Sequence, residues 1–281
     1  MLISRASKLT GHSIQTLCKT AHVSRGGYYA WCKSPTKPLD EVDLLIAKIF
    51  KSKSAGYRTI KMKLENQYRK IVNHKRIRRS MKRQGLVCII RRKRYPIVNT
   101  VTSYSGRAFP NLINRQFSPE KPDMIYSGDI TEFRIAQSQR VYLHAVKDLC
   151  TKEIVSHNVS TSPNNVLVLK NFREHLKALP MQVRETLVYH TDQGGVFMSD
   201  PHKALTENLG VKQSMSRRGN CLDNAPIESF FGHLKDEVAI HKCQNLQEAV
   251  KILDKYIYTY NNERPQWGLK RKTPAQCRSL Y

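Results

Sequence analysis

Three carboxylates in the second half of the chain stand where acids do chemistry. Asp129 lies between Gly128 and Ile130 in a mostly apolar run. Asp192 follows a short apolar stretch and precedes Gly194 and Gly195, the place of a site residue at the carboxyl end of a strand. Glu228 lies in a helix whose start is signalled by Asp223, Asn224 and Pro226. Carboxylates that converge repel one another, and a hard divalent cation relieves the repulsion. Mg²⁺ takes oxygen ligands and keeps several waters, so two or three carboxylates suffice. Two such ions roughly 3.5–4 Å apart activate a hydroxyl and stabilise the leaving oxygen of an in-line phosphoryl displacement. Position alone leaves the choice open, because Asp123, Glu132 and Asp148 are equally near strands.

The elements that must position these acids alternate in type. Residues 124–135, 141–149 and 154–160 read as three strands at hairpin-like spacings, followed by a helical pattern over 165–179. A short strand at 186–189, a helix over 201–209, a strand at 211–215 and a helix over 223–238 follow. The pattern predicts an α/β domain with a mixed sheet and helices on both faces. A long amphipathic helix over 248–260 closes it, with Val250, Leu253, Ile257 and Tyr260 along one stripe. His190 reads as a satisfied structural residue, Asp223 as a helix cap and Trp267 as core.

The first third is of another kind. Residues 1–110 hold 25 Lys and Arg against four acids, a net +21, whereas residues 111–281 carry only +5. The basic part reads as short helices. Residues 13–20 and 24–32 form a small helix-turn-helix-like pair, with Gly26 and Gly27 weakening the second member. Helices over 40–51, 57–66 and 74–84 follow, the last capped by Asn73 and stopped by Gly85. On it Ile77 and Met81 face inward, while Lys75, Arg76, Arg78, Arg79, Lys82 and Arg83 cover most of the remaining circumference. A strand over 86–90 ending in Arg91, Arg92, Lys93 and Arg94 reads as a wing. The plainer reading is a solvated charged helix, but such a helix mixes signs, and no acid occurs between Glu65 and Glu120. A helix laid in a DNA groove is the better reading.

The boundaries follow composition: a helix-turn-helix-like segment at 1–36, a basic helical DNA-binding domain at 37–94, a Pro-, Ser- and Asn-rich linker at 95–120, a core at 121–241 and a C-terminal helix and tail at 242–281. Seven scattered cysteines with no C-x-x-C pair argue against a disulfide scaffold or zinc knuckle and for a reducing cytoplasm. No apolar run approaches the ~18 residues of a membrane span.

Four motifs then resemble those of insertion-sequence transposases of the IS-three type, in their second reading frame, and through them retroviral integrases. They are Gly128-Asp129-Ile130-Thr131; His190-Thr191-Asp192-Gln193-Gly194; the run from Gly219 through Asn224, Pro226 and Glu228 to Phe231; and Tyr260-Asn261-Asn262-Glu263-Arg264-Pro265 with Thr273-Pro274. Thirty-five residues separate Asp192 from Glu228, the spacing of that family, and Lys235 lies seven residues beyond Glu228. Ser24 to Trp31 and Gly56-Tyr57-Arg58 also match, while Gln266 departs from an expected His. The resemblance implies an RNase H-like integrase core behind a winged-helix-like basic region, with Asp129, Asp192 and Glu228 as catalytic metal ligands for Mg²⁺ or Mn²⁺, two ions in all. It implies end cleavage and strand transfer of an insertion sequence by water or a DNA 3′-hydroxyl, without a covalent protein–DNA intermediate. Lys75, Arg76, Arg78, Arg79, Lys82, Arg83, Arg217, Arg218 and Lys235 are the expected DNA contacts. The expected partners are double-stranded DNA, further copies of the chain, and an upstream-frame protein or fusion. The alternative is a non-catalytic DNA-binding protein, a repressor or decayed transposase. A tyrosine recombinase would need a nucleophilic Tyr beside clustered Arg and His late in the chain, and there is none.

Overall fold

The computed structural model describes residues 2–33, 38–53, 55–88, 108–136, 139–217 and 220–281. The chain divides into two compact units, residues 1–45 and 46–281. The first holds α1 (Leu2–Thr10), α2 (Ile14–Thr20) and α3 (Arg25–Lys33). Ser13 caps α2 by accepting from the Thr16 N–H, as its sequence position suggests. Gly26 and Gly27 do not break α3. The Ser24 hydroxyl accepts from the Gly27 N–H, and a Cβ on residue 27 would lie 2.8 Å from that oxygen. The glycine makes room for the cap.

Helix α4 (Glu41–Lys53) starts at a reciprocal pair in which the backbone N–H of Asp43 donates to the Asp40 carboxylate and that of Asp40 to the Asp43 carboxylate. In the second unit α5 (Tyr57–Tyr68) packs on α6 (His74–Arg83) through Ile60, Leu64, Ile77 and Met81. Asn73 caps α6, and its Oδ1 accepts from the Lys75 N–H. The strand expected from residue 86 does not form over 86–88: the Leu86 N–H turns back to the Met81 carbonyl and closes the helix end instead. Residues 89–94, with the expected wing, lie outside the described residues.

The rest is a five-stranded sheet in the order β3-β2-β1-β4-β5, built from β1 (Ile125–Arg134), β2 (Arg140–Asp148), β3 (Ile154–Ser160), β4 (Val188–Thr191) and β5 (Lys212–Met215). The first three strands pair antiparallel, and β4 and β5 add in parallel. Their helices are α7 (Asn165–Ala178), α8 (Met181–Thr186), α9 (Asp200–Asn208), α10 (Ala225–Glu237), α11 (Leu246–Asn262) and α12 (Pro274–Arg278). One sheet face packs on α7 and α9 through Tyr126, Val146, Phe172, Tyr189 and Leu205. The other packs on α10 and α11 through Phe133, Leu143, Phe230, Leu234 and Leu253. Each fully buried aliphatic or aromatic side chain contributes roughly 1.5–3 kcal/mol relative to exposure. Residues 108–117, within the expected linker, run along the edge strand β5: Pro110 accepts from the Met215 N–H, and the Leu112 N–H donates to Ser214 Oγ. The segment shields an otherwise open edge. Among the described residues no helix is long and apolar enough to cross a membrane.

Arg278 on α12 ties the C-terminus to the sheet. Its guanidinium donates to Asp123, Asp148 and Glu153, and the Asp148 side chain is fully buried. Burial works against the guanidinium charge, but Asp123, Glu153 and Asp148 outweigh it and raise its pKa. Removing one partner of a buried pair costs about 3–5 kcal/mol, and here the lower end applies because the arginine is partly exposed. Arg278→Met should therefore lower the urea midpoint by an amount equivalent to about 3 kcal/mol. Hydrogen exchange should rise first in α12; exchange unchanged there would show that apolar packing, not the ion pairs, holds the tail.

A candidate active site of three carboxylates

Strand periodicity decides which way Asp129 points. Tyr126 and Ile130 on β1 pack toward α7 and α9, and Phe133 toward α10 and α11. Asp129 shares the parity of Phe133 and therefore faces α10. The parallel ladder between β1 and β4 ends at Ser127 paired with His190. Asp129, within β1, and Asp192, just past the end of β4, each stand two residues beyond that pair, so the register continued would set them level on neighbouring segments. Adjacent strands run about 4.8 Å apart. Gly128 is needed between them: a Cβ there would lie 2.1 Å from Tyr189 Oη, whose hydroxyl is 3.1 Å from His144 Nε2 beneath the sheet. Gly194 is needed as well. Its N–H donates to Asp192 Oδ1 at 2.9 Å, and a Cβ at that position would crowd the same oxygen.

Glu228 lies in the first turn of α10, exposed, beside the buried Ile227. The helix start is held to the sheet by polar bonds that the sequence pattern did not reveal. Ser127 Oγ donates to Asn224 Oδ1 at 2.6 Å, Asn224 Nδ2 donates to the Gly128 carbonyl, and Lys147 Nζ donates to the Pro226 carbonyl at 3.0 Å. Lys147 is buried, and desolvation lowers its pKa to about 8. Ser127 and Lys147 are cross-strand partners. Two strands thus grip the helix that carries Glu228, one turn before it.

The three acids share one field. Burial raises Asp129 from 3.8 to about 7; the charges of Asp192 and Glu228 add to the rise, and the Ile130 N–H and Lys235 oppose it. Burial raises Asp192 against the Gly194 N–H. Burial and then the charge of Asp192 raise Glu228. Among the described residues no three His, Cys, Asp or Glu side chains close into a ready ligand cluster. The fold sets two carboxylates each two residues beyond the last ladder pair and brings the third within their field.

Asp129→Asn should consequently stabilise the protein in chelator. Because the folded pKa is raised, the ionised carboxylate carries a cost that is full above about 7 and gone below the unfolded value of 3.8. The variant should gain about 1–3 kcal/mol at alkaline pH after allowance for solvent screening of a half-buried group. That gain should shrink as pH falls through the window between the two values. Urea titrations along a pH series check it; a gain independent of pH would mean that charge is not its source.

The remaining candidates fall in several places. Lys235 Nζ lies 5.4 Å from the centre of the Phe133 ring, on the face that Asp129 shares. Lys75, Arg76, Arg78, Arg79, Lys82 and Arg83 are all exposed on α6, with Arg78 against the Tyr57 ring. Arg217 is exposed and bound to Asp223, and Arg218 lies outside the described residues. Asp223 is not the helix cap that its position suggests. Its buried carboxylate accepts from Arg217, Arg115 and Asn111, and the Arg217 bond, against burial, leads in holding its pKa far below the usual range. His190 is structural as expected: its two ring nitrogens meet Ser214 and Ser216, and burial lowers its pKa to about 4. Trp267 is not core but 52% exposed. The 3-10 turn that holds it and the cations after it leave its ring at the surface.

Comparison with known proteins shows the family of the chain. An integrase core domain family matches residues 119–221, a second integrase core domain family matches 209–274, and an HTH-like domain family matches 38–94. The chain is 32% identical over 273 residues to the putative transposase InsK for insertion sequence element IS150 of Escherichia coli K12, covering 95% of this chain and 94% of that one. It is 33% identical over 279 residues to the uncharacterized 31 kDa protein of insertion element IS600 from Shigella sonnei, covering 94% and 98%. Transposase InsF for insertion sequence IS3A of E. coli K12 is 28% identical over 235 residues, covering 80% and 79%. The HTLV-2 integrase catalytic core domain, solved in complex with magnesium, aligns with a TM-score of 0.42 at 19% identity, over 57% of this chain and 98% of that one. The chain belongs to the insertion-sequence transposases that carry an integrase core behind an HTH-like domain, and it is a DDE-type polynucleotidyl transferase.

Proposed function

We propose that Asp129, Asp192 and Glu228 are the catalytic carboxylates of this transposase and that together they cut the ends of an insertion sequence and join them to target DNA. The observation that carries the reading is the position of Asp129 on β1 and of Asp192 just past the end of the adjacent parallel β4, each two residues beyond the last ladder pair, with Glu228 in their field from α10. The donor set fits a hard divalent cation: it is all oxygen, from carboxylates whose mutual repulsion a cation relieves. Mg²⁺ or Mn²⁺ held there, as two ions, would lower the pKa of the attacking hydroxyl and stabilise the departing oxygen. An incoming water or 3′-hydroxyl oxygen forms the new P–O bond as the opposite P–O bond breaks, and no protein side chain enters the covalent path. Lys235 positions the phosphate beside the carboxylates. Asn224 and Lys147 are positioning residues that fix where α10 presents Glu228.

The α6 cations, with Lys235 and the loop of Arg217 and Arg218, hold the DNA. An element has two ends and each chain one trio, so joining both ends takes at least two copies. An upstream-frame protein or fusion supplies further DNA contacts. Duplex DNA carrying element ends, incubated with the full chain and Mg²⁺ or Mn²⁺, tests the reading. It requires cation-dependent nicks that leave 3′-hydroxyls, followed by joined products. Binding without nicking in either cation would favour a repressor instead.

A further inference from the structure

A cleft of about 720 Å³ lies away from the three carboxylates, between α5 and the turn that precedes α12. Five cations and one acid line it: Lys61 and Arg69 from α5 and its end, Lys270, Arg271 and Lys272 from the turn, and Glu65. The acid is already committed, with Lys61 at 3.3 Å and Arg271 at 2.5 Å. Arg69, Lys270 and Lys272 have no ion-pair partner among the described residues.

The turn that presents these cations is built rather than slack. Lys270 and Arg271 both take positive φ, at 51° and 68°, a conformation uncommon for long side chains. It is held by the Gln266 N–H on the Lys272 carbonyl, the Arg271 N–H on the Gln266 carbonyl and the Lys272 N–H on the Leu269 carbonyl. Asn66 Nδ2 donates to the Arg271 carbonyl from α5, and the Arg271 guanidinium lies 5.3 Å from the centre of the Trp267 ring. The turn therefore displays three consecutive basic side chains toward α5.

We propose that this cleft binds the phosphodiester backbone of DNA, as a second phosphate-binding site outside the active site. The inference rests on the DNA-transferase reading above. Two observations favour a nucleic-acid strand over a small anion. Ile71, which is 89% exposed, lines the cleft two residues before Asn73, the cap of α6, so the chain passes from the cleft wall into the helix that carries six exposed cations. The cleft cations are three lysines and two arginines around an open trough, and they suit phosphates rather than base edges. A strand that leaves α6 can continue across the C-terminal turn.

Because phosphate contacts are independent of sequence, a random-sequence duplex is a sufficient probe, titrated against salt with the full chain. Each lost phosphate contact reduces the slope of log K against log salt by about 0.9, so Arg69→Gln/Lys270→Gln/Lys272→Gln should lose roughly 2–3 of slope and about tenfold or more in low-salt affinity. The control Lys170→Gln/Arg173→Gln/Lys212→Gln removes exposed cations elsewhere and should keep the wild-type slope. Thermal melts confirm folding, and Lys270→Gln alone, expected to lose about 0.9, serves if the triple variant is unstable. A wild-type slope in the cleft variant, or an equal loss in the control, overturns the cleft while leaving the transferase reading intact. No salt-sensitive binding by the wild type overturns both.

Discussion

Asp192→Asn should lower strand transfer by roughly 10³-fold or more, the equivalent of about 4 kcal/mol of transition-state stabilisation, while leaving duplex binding within about twofold. Asn keeps the shape of the side chain and an oxygen to accept the Gly194 N–H, so the turn after β4 survives. What it removes is the charge that Asp192 shares with Asp129 and Glu228. The site cations of α6 are untouched, which is why binding should persist. Single-turnover assays with pre-nicked ends separate the two quantities. Retained strand transfer would remove Asp192 from the site, and loss of binding in proportion to activity would make its role structural.

Duplex affinity should fall by roughly 10³–10⁵ between 50 and 200 mM salt if the chain makes about 6–10 phosphate contacts. The charge that drives this is concentrated in the first 110 residues, at +21, against +5 in the rest. On α6 the six basic side chains are exposed and the first turn holds no acid. Arg217 is a poorer source of attraction, because Asp223 already shares its charge. A flat salt response would mean that the basic third serves another purpose.

The antiparallel half of the sheet was legible because its pattern is local. Three strands with apolar alternation at hairpin spacing fix their own partners, and β1 to β3 form within a residue or so of their expected ends. The parallel half was harder to read. His190 and Thr191 look like loop, yet they are buried in β4, where Ser214 and Ser216 answer the imidazole. The strand therefore lies two residues later than its apolar run suggests, and α8 occupies part of that run. The acids could be chosen from the motifs but not from chemistry alone. Asp123 and Asp148, equally near strands, turn out to bind Arg278. The cleft was invisible, because Glu65 and Arg271 meet across 206 residues of chain. Composition separates a basic first third from a nearly balanced remainder, yet α5 of the basic third hydrogen-bonds the C-terminal turn within the second unit.

Anomalous diffraction from crystals of the full chain bound to end DNA and Mn²⁺ would locate the metal among the three carboxylates. Manganese peaks are expected between the carboxylates of Asp129 and Asp192, with Glu228 drawn in from α10 to complete the ligand set. Manganese bound elsewhere, or Glu228 turned away from both aspartates in an ordered DNA complex, would contradict that site.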